Sequence, residues 1–132
     1  MPLTISVQFP DQAGIADANP STDIADETLF WAIWPWLHAF NDAQGEHIDV
    51  YSVYDLQSTK TSVLKDYLGQ AQVAMRDSPE EISVIVGWNG PRNANPIYRH
   101  VTRTAVLALL DRLISLCDLA IRRHGHLAII GD

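Results

Sequence analysis

The spacing of apolar residues switches back and forth between a period of two and a period of three to four, and this constrains the fold more than any single motif. Residues 3–9 set Leu3, Ile5, Val7 and Phe9 against Thr4, Ser6 and Gln8, the pattern of a half-buried strand. Across residues 26–42, Leu29, Ile33, Trp36 and Phe40 recur at helical intervals, while Pro35 would remove one backbone bond and clash within that helix. The expectation is a kinked helix or two short ones, with a strand built on Leu29, Trp31 and Ile33 as the competitor. Residues 47–54 are rich in β-branched and aromatic side chains and read as a second strand, with residues 55–58 turning the chain.

Val63, Leu64, Tyr67, Leu68, Ala71 and Met75 then fall on one helical face, with Ser58 or Thr59 placed to cap its start and Asp77-Ser78-Pro79 to stop it. Residues 82–86 form a short apolar run between turn signals, which predicts a buried strand central in the sheet. The longest helix is expected from Pro96 or Val101 to His124, on a stripe of Val106, Leu109, Leu110, Leu113, Leu116, Cys117, Ala120 and Ile121. Arg122, Arg123 and His124 would complement the carbonyls of its last turn, and Gly125 would take a left-handed cap. A short terminal strand follows over residues 127–130. The pattern β-α-β-α-β-α-β predicts an α/β fold (α+β being the variant): one small sandwich domain over residues 1–132, with about four strands, three helices and some parallel pairing.

A chain of 132 residues with 47% hydrophobic and 19% charged residues is long and apolar enough to bury a core without disulfides or metal. Cys117 is the only cysteine, which excludes an internal disulfide and favours a reducing, cytoplasmic setting. The N-terminal residues lack a basic segment, and no apolar run reaches the roughly 18 to 20 residues of a bilayer span, so secretion and membrane insertion are disfavoured.

Charge is distributed unevenly. All nine Lys and Arg residues lie at or after Lys60, so the first 59 residues carry nine carboxylates and no fixed cation, and the whole chain has a formal charge of −7. Neutralising phosphates requires clustered Lys and Arg, so generic binding to nucleic acid or to anionic membranes is disfavoured, leaving room only for a local basic strip.

No segment assembles a complete catalytic or cofactor motif, and no cofactor or metal is expected. His47-X-Asp49 and His124-X-His126 each offer two ligands without a third at a telling distance. Ser58-Thr59-Lys60-Thr61 opens a helix but lacks the glycines of a phosphate loop, and Ser62-X-X-Lys65 matches an acyl-enzyme motif in spelling alone. Cys117 lies on an apolar stripe, where a thiol packs as a small hydrophobe. The small-molecule candidate is a loop over residues 87–100, where Asn89, Arg92, Asn93, Asn95, Arg99 and His100 would converge on an anionic group. Its competing reading is a connection in which Asn95 caps and Pro96 starts the long helix.

Two function classes follow. In the first, the acidic half (Asp11, Asp17, Asp23, Asp26, Glu27, Asp42, Glu46, Asp49 and Asp55) docks on a basic protein partner, a toxin or an enzyme, above all through Asp11, Asp17, Asp23, Asp49 and Asp55, with Tyr51 or Tyr54 as an aromatic anchor. Asp11, Asp17 and Asp23 belong to a long Gly-, Pro- and Asp-containing connection over residues 10–23, of a length often used for binding. In size and charge this profile is similar to bacterial immunity proteins and antitoxins, which occlude a toxin's active site. In the second, a small α/β enzyme or ligand-binding domain uses the loop at residues 87–100. The aromatic stretch between Trp31 and Phe40 would serve either as core or as a homodimer contact.

Overall fold

A computed structural model describes residues 3–8, 21–24, 26–49 and 53–131. The alternating run at the start becomes β1 (Leu3–Gln8), with Leu3, Ile5 and Val7 buried. It pairs antiparallel with β2 (Ser21–Ile24) on one side and with β6 (His126–Ile130) on the other, and β6 pairs antiparallel with β3 (Val53–Leu56). The sheet order is β2-β1-β6-β3. Parallel pairing was the expectation, yet every ladder between the described strands is antiparallel. The reason lies in the connections: two helices and a hairpin, in place of one crossover helix, separate β3 from β6. From sequence alone β2 falls within a connecting loop, because four residues alternating exposed and buried are too few to stand out.

One face of this sheet, built from Leu3, Ile5, Val7, Ile24, Leu56, Leu127 and Ile129, joins the core beneath three helices. The opposite face carries Thr4, Gln8, Asp23 and Asp55, with Val53 and Ile130 exposed beside them.

α1 (Glu27–Gln44) is one helix with Pro35 inside it. Pro35 lies on the exposed side, so the bond it deletes lies away from the packed face, and the helix continues past it. The buried stripe is Phe30, Ile33, Leu37 and Phe40, rotated from the expected one; Leu29 and Trp36 are half-buried. Phe30 and Phe40 are fully buried, each contributing about 2 to 3 kcal/mol of apolar transfer. Asp26 caps the start, accepting from the Thr28 N–H at 2.9 Å.

α2 (Ser58–Arg76) buries Leu64, Leu68, Ala71 and Met75 as expected. Its N-cap is Gln57, without a side-chain cap, so neither Ser58 nor Thr59 plays that part. The second strand also falls later than expected: His47 and Asp49 lie in an irregular connection, residues 50–52 lie outside the described residues, and Asp55 is in β3, not a turn.

The apolar run at residues 82–86 is no central strand. It belongs to β4 (Glu81–Asn89), which among the described residues pairs only with β5 (Asn95–Thr102) in a separate two-stranded hairpin. Val84 and Val101 face the core, whereas Ile85 and Tyr98, opposite one another, are exposed. A run of five apolar residues does not reveal whether one face or both are covered. Pro96, in this two-stranded hairpin, sits opposite Trp88; a strand at a sheet edge tolerates a missing N–H. α3 (Arg103–Arg122) therefore starts later, at Thr102, whose Oγ1 accepts from the Ala105 N–H at 3.1 Å. Its buried stripe is as expected except for Ile121, which is exposed. At its end His124, not Gly125, takes the left-handed conformation (φ 55°), and the Gly125 N–H bonds the Ala120 carbonyl at 2.8 Å. Among the described residues no helix is long and apolar enough to cross a membrane.

Candidate partner-binding site

The nine carboxylates of the first half separate into groups with different work. Asp26 and Glu27 serve α1 itself: Asp26 caps it, and Glu27 accepts from the Trp31 indole N–H at 3.1 Å. Asp23 and Asp55 are exposed on the outer face of the sheet but on opposite edge strands, β2 and β3. Asp23 accepts from the Thr4 hydroxyl at 2.7 Å, and Asp55 lies 3.7 Å from His126 Nε2. Asp11, Asp17 and Tyr51 lie outside the described residues. The third group, Asp42, Glu46 and Asp49, comes together at the C-terminal end of α1.

There the chain builds an open cleft of about 410 Å³, lined by Trp34, His38, Asp42, Glu46, His47 and Asp49 among others. One wall is a column on α1 at spacings of four residues. The Trp34 and His38 rings lie 5.4 Å apart, His38 Nε2 is 3.4 Å from Asp42, and Trp34 is itself braced by Phe30 and Trp31. The other wall is the connection after the helix. Gly45 turns it with φ 66°, and Asn41 then clamps it, its amide donating to the Ile48 carbonyl and its Oδ1 accepting from the Ile48 N–H, both at 3.0 Å. Ile48 is pulled into the core, and the neighbouring His47 and Asp49 stay exposed.

Electrostatics make this end unusual. A helix C-terminus favours cations, and a carboxylate within the last turn is disfavoured by roughly 0.3 to 1 kcal/mol. α1 has no basic residue in its last turn. The compensating cation is borrowed from α2: Lys60 Nζ donates to the Gln44 carbonyl and to Glu46 Oε1, each at 2.7 Å. Lys60 thus serves the helix end and Glu46, while Asp42 lies beside His38 and Asp49 lines the same cleft as the Trp34 ring. Carboxylates beside an aromatic face are groups that attract cationic side chains, by charge and by cation–π contact respectively.

Of the acidic residues singled out from sequence, Asp42, Glu46 and Asp49 lie in this cleft. Trp34 and His38 were not singled out for it, although their four-residue spacing with Asp42 was a readable signal. Asp55 instead borders a second open cleft, about 430 Å³, with Ser58, Thr59, His124 and His126 at the start of α2. Among the described residues no three His, Cys, Asp or Glu side chains are grouped so as to hold a metal ion.

The small-molecule candidate is rearranged by the hairpin. Asn89 and Asn95 end the β4–β5 ladder, and Arg92 and Asn93 form its tip with φ 58° and 52°. Gly90 enters that turn at φ 80°, where a Cβ would collide with the Asn95 side chain. Strand alternation sends Arg99 to the face of Val84 and Val101 and His100 to the other, where its Nδ1 is 3.2 Å from Ser83 Oγ. These residues therefore do not converge on one point. The chain matches no protein-family model, no curated protein and no solved structure.

Proposed function

We propose that this protein is a protein-binding module of the inhibitor, immunity-protein or antitoxin kind, which occludes a positively charged site on a partner. The observation that carries the reading is the gathering of Asp42, Glu46 and Asp49 around one cleft at the C-terminal end of α1, whose last turn holds no basic residue. A partner's arginine or lysine enters the cleft along Trp34, and the outer carboxylates Asp23 and Asp55 add to the field that steers approach. The rigid Asn41 clamp favours this use, because a loop already held in place loses little freedom on binding.

The test is capture of partners from native lysate on the immobilised protein at low salt, with salt elution and mass spectrometry. One basic protein, bound stoichiometrically and released by salt, is expected. Reversal of Asp42 and Asp49 to lysine should weaken its capture at least about tenfold, or ~1.4 kcal/mol. Capture that survives both reversals would remove the cleft from the interaction.

A further inference from the structure

Two of the chain's five histidines, His38 and His47, line the acidic cleft. Imidazole is the side chain whose charge ordinarily changes between pH 5 and 8, so where these two stand matters more than how many there are. His38 lies on α1 one turn before Asp42, its Nε2 3.4 Å from that carboxylate and its ring 5.4 Å from the Trp34 ring. As a stabilising pair this contact is worth little, because the two side chains are 57% and 71% exposed and stay solvated. Its consequence is for what else can reach Asp42.

The charged groups around the cleft come from three elements. α1 supplies His38 and Asp42, the connection after it supplies Glu46, His47 and Asp49, and α2 supplies Lys60, whose Nζ is bound to Glu46 and to the end of α1. Of these side-chain types only imidazole titrates in the neutral range. A proton gained by His38 places a positive charge beside Asp42 and Trp34, the two groups that a partner's cation would use. His47 adds a second charge to a lining that holds three carboxylates. Neutral imidazoles leave those carboxylates to the partner, whereas imidazolium ions answer them from within.

We propose that His38 and His47 make the cleft an acid-release site, which holds a cationic partner while the imidazoles are neutral and lets it go as pH falls through their titration. The inference rests on reading the cleft as a receptor for cationic side chains and adds the condition that closes it. Linkage fixes the sign: if protons oppose the partner, the partner must expel protons when it binds.

Isothermal titration of the full chain at low salt with an acetylated, amidated hexa-arginine peptide tests this, because arginine keeps its charge throughout. The dissociation constant is expected to be about tenfold or more larger at pH 6 than at pH 8. At pH 6, heats measured in two buffers of unlike ionisation enthalpy should show protons released on binding. His38→Gln with His47→Gln should remove both effects. His38→Lys, with a fixed charge in the same place, should weaken binding at pH 8 by about threefold or more. Near-UV circular dichroism checks that each chain is native at both pH values. Equal affinity at the two pH values, a pH dependence that persists in the double glutamine variant, or binding without proton release overturns the proposal. Asp42→Lys with Asp49→Lys separates it from the proposed function. No binding at pH 8, or binding that this variant leaves intact, sinks the cleft as a receptor; binding that it abolishes, yet is as tight at pH 6 as at pH 8, sinks acid release alone.

Discussion

Burial disarms the only thiol in the protein. Cys117 sits in α3 among fully buried neighbours, 1% exposed. Burial pushes its thiol up to about 12, Asp118 next to it adds to the rise, and Lys65 offsets part of it. Lys65 is itself raised by donating to the Asp118 carboxylate, 2.5 Å away. Because the folded value lies above the ordinary 9.0, the resulting stability is fully present below pH 9 and is lost as pH rises from there toward 12. In the native protein at pH 8, a thiol reagent should label Cys117 only through global unfolding, orders of magnitude more slowly than in urea. Native labelling as fast as in urea would show the thiol to be accessible. The apolar stripe around Cys117 made this role legible in the sequence. The setting of Glu46 was hidden, because a carboxylate's meaning depends on which end of a helix it lies near and which lysine another helix lends.

Pro35 is the clearest case at the scale of an element. Its ring denies one hydrogen bond to α1, and proline in a helix interior is about 3 kcal/mol worse than alanine, less up to ~1 kcal/mol for the freedom alanine returns to the unfolded chain. Pro35→Ala should therefore stabilise the protein by about 2 to 3 kcal/mol, read as a higher urea midpoint at unchanged slope. No change, or a loss, would mean that the proline ring packs to equal effect in the groove it lines with Trp31 and Trp36. Helices α2 and α3 were legible because long apolar stripes leave little choice of face. The short elements were not: β2 has four residues, and Asn95-Pro96 spells a helix start while lying in a strand. In both, pairing partners far along the chain decided the conformation.

For the molecule as a whole, the composition of layers could be read in advance and the strand order could not. Periodicity tells which face of an element is apolar, whereas order and direction depend on how many elements intervene before the chain returns to the sheet. The cleft was illegible for a similar reason, since its walls come from α1, the following connection and Lys60 of α2. The same topology predicts folding kinetics. β6 lies between β1 and β3, with Ile5 opposite Ile129, so the middle of the sheet joins residues from far-separated parts of the chain. Contacts of such separation form late, whereas α2 and α3 meet across the intervening hairpin. Ile129→Ala, expected to cost about 2 to 5 kcal/mol, should accelerate unfolding and leave refolding nearly unchanged in stopped-flow experiments, while Leu68→Ala should slow refolding. The reverse pattern would put the sheet first. Time thus enters through the position of one strand: until β6 arrives, β1 with β2 and β3 by itself have exposed edges waiting, and the chain is most vulnerable to the wrong neighbour in that interval.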